Sequence, residues 1–148
     1  MEFSRITDDL FIGTTPMVDD YLGLHELGVR LVINMRLLVR PYENPFDLPL
    51  NFLWLPSIDS PTFPISLRKL LRGAHAALET IREGGKVYTH CEFGRHRGAA
   101  MGAAVLIAQG HGPEKAIDLI KRSRPAADPH VFYIRHRIMR FARKWKKA

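Results

Sequence analysis

Apolar residues recur along this chain with two alternating periods. Leu10–Gly13 is a short β-rich run closed by a turn signal, and Val18–Leu27 carries Val18, Leu22 and Leu27 before Gly28. That order predicts a strand, a loop and a helix. Arg30–Asn34 (RLVIN) is almost continuously apolar, the pattern of a strand buried on both faces. Pro41, Pro45 and Pro49 make Arg36–Leu50 irregular; Asn51–Leu55 (NFLWL) returns to a strand pattern, and PSIDSPTFP follows as a second proline-punctuated loop.

Ser66–Glu83 has the clearest helical period. Leu67, Leu70, Leu71, Ala74, Leu78 and Ile81 share one stripe, opposite Arg68, Lys69, Arg72, Glu79 and Arg82. Ser66 is placed to cap its start and Gly84-Gly85 to stop it. Lys86–Thr89 (KVYT) reads as a strand and the Ala-rich Gly98–Gln109 as a buried helix. Pro113–Ser123 starts with proline at the first helical position, and His130–Trp145 closes the chain. Strands alternating with helices predict a single α/β domain over residues 1–148, with a four- or five-stranded, mostly parallel sheet flanked by helices. Ligands of such sheets bind beyond the carboxyl ends of the strands. The segment after Lys86–Thr89 is therefore where chemistry is expected.

Composition narrows the classes. A chain of 148 residues with 46% hydrophobic content suits one core, and no window reads as a linker or a repeat. The start, MEFSRITDDLF, lacks the basic and apolar regions of a leader, and no apolar run approaches a bilayer span. With Cys91 as the one cysteine there is no disulfide framework, which fits a cytoplasmic setting. The net charge of +7 favours anionic partners: phosphorylated substrates, an anionic membrane surface or nucleic acid. Nucleic acid is not expected, because no base-stacking motif or binding-fold signature accompanies the charge. The closing RHRIMRFARKWKKA has an ordinary reading as a solvated helix face. Phe141 and Trp145 among its cations also suggest peripheral contact with an anionic bilayer.

Residues 90–98 read HCEFGRHRG. Between the strand and the following helix, the backbone N–H groups of Glu92, Phe93, Gly94, Arg95, His96 and Arg97 can converge on one centre, forming a nest for a tetrahedral anion at a helix N-terminus. Gly94 permits the tight path, and Arg97 supplies a planar fork for two phosphate oxygens. The same positive field favours the thiolate of Cys91, the nucleophilic form. The ATP-binding pattern GxxxxGK[ST] is absent. His25, His75, His111, His130 and His136 show no metal-ligand spacing, so neither metal nor cofactor is expected.

His90-Cys91-x-x-Gly94-x-x-Arg97 resembles the HCxxGxxR signature of the cysteine-based protein tyrosine and dual-specificity phosphatases. Chance agreement at these four residues is on the order of 10⁻⁴ for a chain this long. LFIGTTP followed by GVRLVIN is similar to the family's opening strand-helix-strand, and SRP before the last helix also fits. The short chain favours the compact dual-specificity branch. The resemblance implies Cys91 as nucleophile, Arg97 as phosphate clamp, and Asp59, 32 residues before Cys91, as general acid and then base. It also implies that His90 positions the loop and lowers the thiol pKa. The expected reaction is phosphomonoester hydrolysis through a cysteinyl-phosphate, on phosphorylated protein or another anionic phosphoester. The family's Ser or Thr after the arginine is replaced by Gly98, which predicts a slow second step. The GRHR run is similar to the GRSR of phosphatidylglycerophosphate phosphatase-type enzymes, so a lipid or inositol phosphate is the alternative substrate. A phosphate-binding module with impaired turnover is a further alternative.

Overall fold

A computed structural model describes residues 1–147. Five strands form one sheet: β1 (Phe3–Arg5), β2 (Leu10–Gly13), β3 (Val29–Asn34), β4 (Asn51–Trp54) and β5 (Lys86–His90), in the order β1-β2-β5-β3-β4. Only β1 runs antiparallel to its neighbour; β2–β5, β5–β3 and β3–β4 are parallel. The helices are α1 (Tyr21–Glu26), α2 (Leu67–Arg82), α3 (Arg97–Ala108), α4 (Pro113–Ser123) and α5 (Phe132–Lys147). None among the described residues is long and apolar enough to cross a membrane.

Strand alternation divides the interior in two. Leu10, Ile12, Leu31, Ile33 and Val87 face the large core beneath α2, α3, α4 and α5, whereas Phe11, Val32 and Tyr88 face a smaller one with Tyr21 and Leu24 of α1. Both faces of β3 being covered, its centre reads as a nearly continuous apolar run. Every residue of α3 from Gly98 to Ile107 is buried, so its axis runs through the large core. Each fully buried Leu, Ile or Val there contributes about 1.5–3 kcal/mol relative to exposure. The start of α3 is thereby held rigidly against the end of β5.

The sequence expectations meet the structure closely, with three differences. The Ser66 hydroxyl caps α2 by accepting from the Lys69 N–H at 3.3 Å, as its position suggests. The predicted helix Val18–Leu27 begins instead as a 3₁₀ turn over Val18–Asp20. Strand β1 (FSR) was not anticipated: three residues with mostly exposed side chains carry no hydrophobic period, and pairing with β2 defines it. The third difference concerns the last helix. Phe141 is fully buried and stacks on Trp145, which also packs against His75. These aromatics fill the core edge, which removes the basis for a bilayer-facing role for them.

Candidate active site

The segment between β5 and α3 is shaped from behind by one side chain. Arg124, 2% exposed, donates from Nε to the Gly94 carbonyl at 3.0 Å and from Nη2 to the Phe93 carbonyl at 3.0 Å. Its Nη1 reaches Glu2 Oε2 at 2.6 Å and Ser4 Oγ at 3.1 Å, fastening the loop to β1. A trans peptide sets N–H opposite C=O. Carbonyls held outward by a guanidinium therefore turn the next N–H groups, those of Gly94 and Arg95, toward the inside of the loop. Gly94 has φ +65°, and a Cβ there would lie 2.6 Å from the Gly13 carbonyl oxygen. No other residue fits without moving β2.

Cys91 sits at the floor of this loop, 3% exposed. Its carbonyl accepts from the Thr15 hydroxyl at 3.3 Å, and Thr15 in turn accepts from Arg36 Nη1 at 3.0 Å. His90 is buried with Nδ1 3.2 Å from the same carbonyl. Burial pushes its pKa down to about 4, further lowered by the Arg36 charge and opposed by the backbone hydrogen bond. The imidazole is thus neutral at pH 7. A neutral ring at His90 orients the loop through its contact with the Cys91 carbonyl and adds no positive charge of its own.

Arg97 opens α3 and reaches across two other elements. Its Nη1 donates to the Ser57 carbonyl at 2.8 Å and to the Met35 carbonyl at 3.3 Å, tying the ends of β3 and β4 to the loop. Its Nε is buried without a hydrogen-bond partner among the described residues. A buried, unsatisfied N–H donor on a permanent cation is costly unless an acceptor arrives. A phosphate oxygen supplies one.

Asp59 stands on the loop after β4 and is held by both oxygens. Tyr133 of α5 donates its hydroxyl to Oδ1 at 2.7 Å, and Oδ2 lies 2.8 Å from His96 Nδ1. Tyr133 and His96 also approach each other at 3.3 Å, closing a triangle. Partial burial works to raise the Asp59 pKa. The hydrogen bonds from Tyr133 and His96, with the charges of His96 and Arg97, outweigh it and hold the carboxyl below its ordinary value. Burial and the same hydrogen bond push Tyr133 up to about 12, so it stays a donor. Free Asp59 is accordingly a carboxylate at neutral pH. A phosphate dianion brought beside it raises its proton affinity, as any like charge does.

Gly98 backs directly onto Cys91. A Cβ there would sit 3.2 Å from the Cys91 nitrogen and from the His90 Cα and carbonyl carbon. Its own carbonyl accepts from Thr89 Oγ1 at 2.9 Å. The loop and α3 therefore close more tightly here than a side chain would permit without a shift of a few tenths of an ångström.

The residues expected from the sequence are thus gathered at the carboxyl ends of the parallel strands: Cys91, Arg97, Asp59, His90 and the loop from Glu92 to His96. Their side chains divide. His96 turns to Asp59, Arg95 and Phe93 are exposed, and Glu92 lies 4.0 Å from Arg36 Nη2, which offsets its charge. Arg124, Tyr133 and Arg36 were not anticipated as site residues. SRP was the one signal for Arg124; nothing local marks Tyr133, which acts from 74 residues away. The arrangement can bind a tetrahedral anion over a buried thiol, with a carboxylate fixed beside it.

No family model matches the chain. Dual specificity phosphatase 28 of Mus musculus is 30% identical over 131 residues, covering 87% of this chain and 77% of that protein. Phosphatidylglycerophosphatase and protein-tyrosine phosphatase 1 of Rattus norvegicus is 34% identical over 134 residues, covering 82% and 67%. Among solved structures, a mouse dual specificity phosphatase complexed with zinc tungstate superposes with TM-score 0.86 at 25% identity, over 98% of this chain and 89% of that one. PTPMT1 in complex with PI(5)P superposes with TM-score 0.82 at 26% identity, over 98% and 97%.

Proposed function

The chain belongs to the cysteine-based protein tyrosine phosphatase superfamily, in its compact dual-specificity branch, and from that premise we propose that it is a phosphomonoester hydrolase with Cys91 as nucleophile. In the first step the Cys91 thiolate forms an S–P bond as the P–O bond to the leaving group breaks, and the proton of Asp59 passes to the leaving oxygen. In the second, water attacks phosphorus, the S–P bond breaks, and the water proton returns to Asp59. Arg97 and the N–H groups of residues 92–97 stabilise the charge on the equatorial oxygens. The observation that carries this reading is the joint placement of a buried thiol, an Arg97 Nε without a partner, and an Asp59 fixed through His96 of the same loop.

Phosphorylated protein is the substrate we assign, phosphotyrosine first, with phosphoserine and phosphothreonine in the same class. The setting is cytoplasmic, where a lone thiol stays reduced. A lipid or inositol phosphate is the second reading. It is supported by the relative solved with PI(5)P and by exposed Leu38, Phe63, Phe93 and Phe132. An aryl phosphate assay tests the core of the proposal: turnover disappears in Cys91→Ser and is blocked competitively by vanadate. Vanadate binding without any turnover in the wild-type protein would leave a phosphate-binding module instead.

A further inference from the structure

Beside the acid loop lies a cavity of about 230 Å³ lined by Pro61, Pro64, Phe132, Tyr133, His136 and Arg137. It is next to the reacting centre because Tyr133 belongs to both: its hydroxyl holds Asp59 at 2.7 Å while its side chain lines the cavity. The walls combine apolar surface with cations. Phe132 is 71% exposed, His136 is exposed, and Arg137 is partly buried.

Arg137 is the informative member. Its Nε donates to the Ile65 carbonyl at 2.9 Å, which fixes the guanidinium against the acid loop. No carboxylate among the described residues forms an ion pair with it, and its terminal amino groups have no hydrogen-bond partner there. Asp59, on the same loop as Pro61 and Pro64, is already engaged by Tyr133 and His96. Burial and the neighbouring Arg140 charge both lower its pKa. A partly desolvated guanidinium without a counter-charge attracts an anion, and its fork is suited to a carboxylate or phosphate.

We propose that this cavity is a second substrate subsite, in which Arg137 and His136 bind an anionic side chain flanking the phosphorylated residue of a peptide while Phe132, Pro61 and Pro64 pack against its neighbours. The proposal rests on the phosphatase reading above and names the substrate class of that site. Occupancy is also linked to catalysis through Tyr133, since a ligand on one side of the ring sits against the group that holds the general acid.

The test is a ratio. For phosphotyrosine peptides with glutamates flanking the phosphotyrosine, kcat/KM is compared with that of the same peptides carrying glutamines. The wild-type protein is expected to favour the glutamate set by about three- to ten-fold at low salt, with the ratio shrinking as salt rises. In Arg137→Gln the ratio falls toward one, and in Arg137→Lys it is partly kept. A ratio cancels any general loss of turnover caused by freeing Ile65. A wild-type ratio of one alongside normal aryl phosphate turnover overturns the subsite alone, as does a ratio that survives in Arg137→Gln. Arg137-dependent hydrolysis of a bisphosphorylated inositol lipid in vesicles with no peptide preference also overturns it. Absence of aryl phosphate turnover sinks the phosphatase reading and this proposal together.

Discussion

Two residues decide how this site differs from a generic thiol and phosphate loop. Tyr133 stabilises Asp59 in its charged form, so Tyr133→Phe raises the Asp59 pKa. Leaving-group protonation needs the acid form. The basic limb of kcat/KM for an alkyl phosphate therefore moves to higher pH in Tyr133→Phe, whereas a nitrophenyl ester, which needs little protonation, keeps its profile. A limb that stays in place for both substrates would show that Tyr133 does not act through Asp59. Gly98 acts on the second step. Without a hydroxyl at this position, hydrolysis of the cysteinyl-phosphate should be slow, and a burst of alcohol product is expected before the steady state in stopped-flow measurement; a linear first turnover rules this out. Gly98→Ala separates sterics from chemistry. Helix propensity favours alanine by about 1 kcal/mol, but crowding against the His90–Cys91 backbone costs about 1–3 kcal/mol. The variant should unfold at lower urea.

At the scale of elements, what was legible in the sequence was what is local. His90 to Arg97 lie within eight positions, so their spacing alone pointed to anion-binding and thiol chemistry, and the Ser66 cap with the α2 stripe fixes that helix. The braces are not local. Arg124 meets Glu2 across 122 residues and Asp59 meets Tyr133 across 74, contacts that no periodicity encodes. His96 was ambiguous for the same reason: which way a loop side chain turns depends on the acid loop folding over it. His90 was legible by identity but not by its depressed pKa, which comes from burial that no local pattern encodes. That burial has a pH consequence. The folded-state pKa is depressed to about 4 from an unfolded value of about 6.5. Between those limits the unfolded chain binds more protons, so stability is full above the upper limit and falls as pH drops toward the lower one. The loss amounts to about 3 kcal/mol. Urea titrations at pH 7 and pH 4.5 should show it, and His90→Asn should remove most of the difference; an equal difference in the variant would locate the acid sensitivity elsewhere.

For the whole molecule, the charge excess and the C-terminal helix have to be separated from one another. The sequence Phe141 to Trp145 invites a bilayer reading because two aromatics stand among arginines and lysines. In the fold, Phe141 is fully buried with Ile134 and Ile138 in the large core, Trp145 packs on it, and beyond Phe132 at its start the exposed described positions of α5 are His136, Arg140, Arg143, Lys144 and Lys146. One face of the helix therefore holds α5 to α2 and α3, and the other carries charge into solvent. Removing residues 141–148 strips the core of an aromatic rather than a surface anchor from its periphery. Phe141→Ala alone should cost about 3–5 kcal/mol, a large share of the roughly 5–15 kcal/mol that holds a typical domain folded. Because α5 also carries Tyr133, loosening its end weakens the clamp on Asp59 at the other. Denaturant unfolding of Phe141→Ala should shift to markedly lower urea, with alkyl phosphate turnover falling more than aryl phosphate turnover at temperatures where the variant is still folded. Arg143→Gln and Lys144→Gln on the exposed face should leave both unchanged. Equal tolerance of all three substitutions would mean that the helix end is a surface appendage.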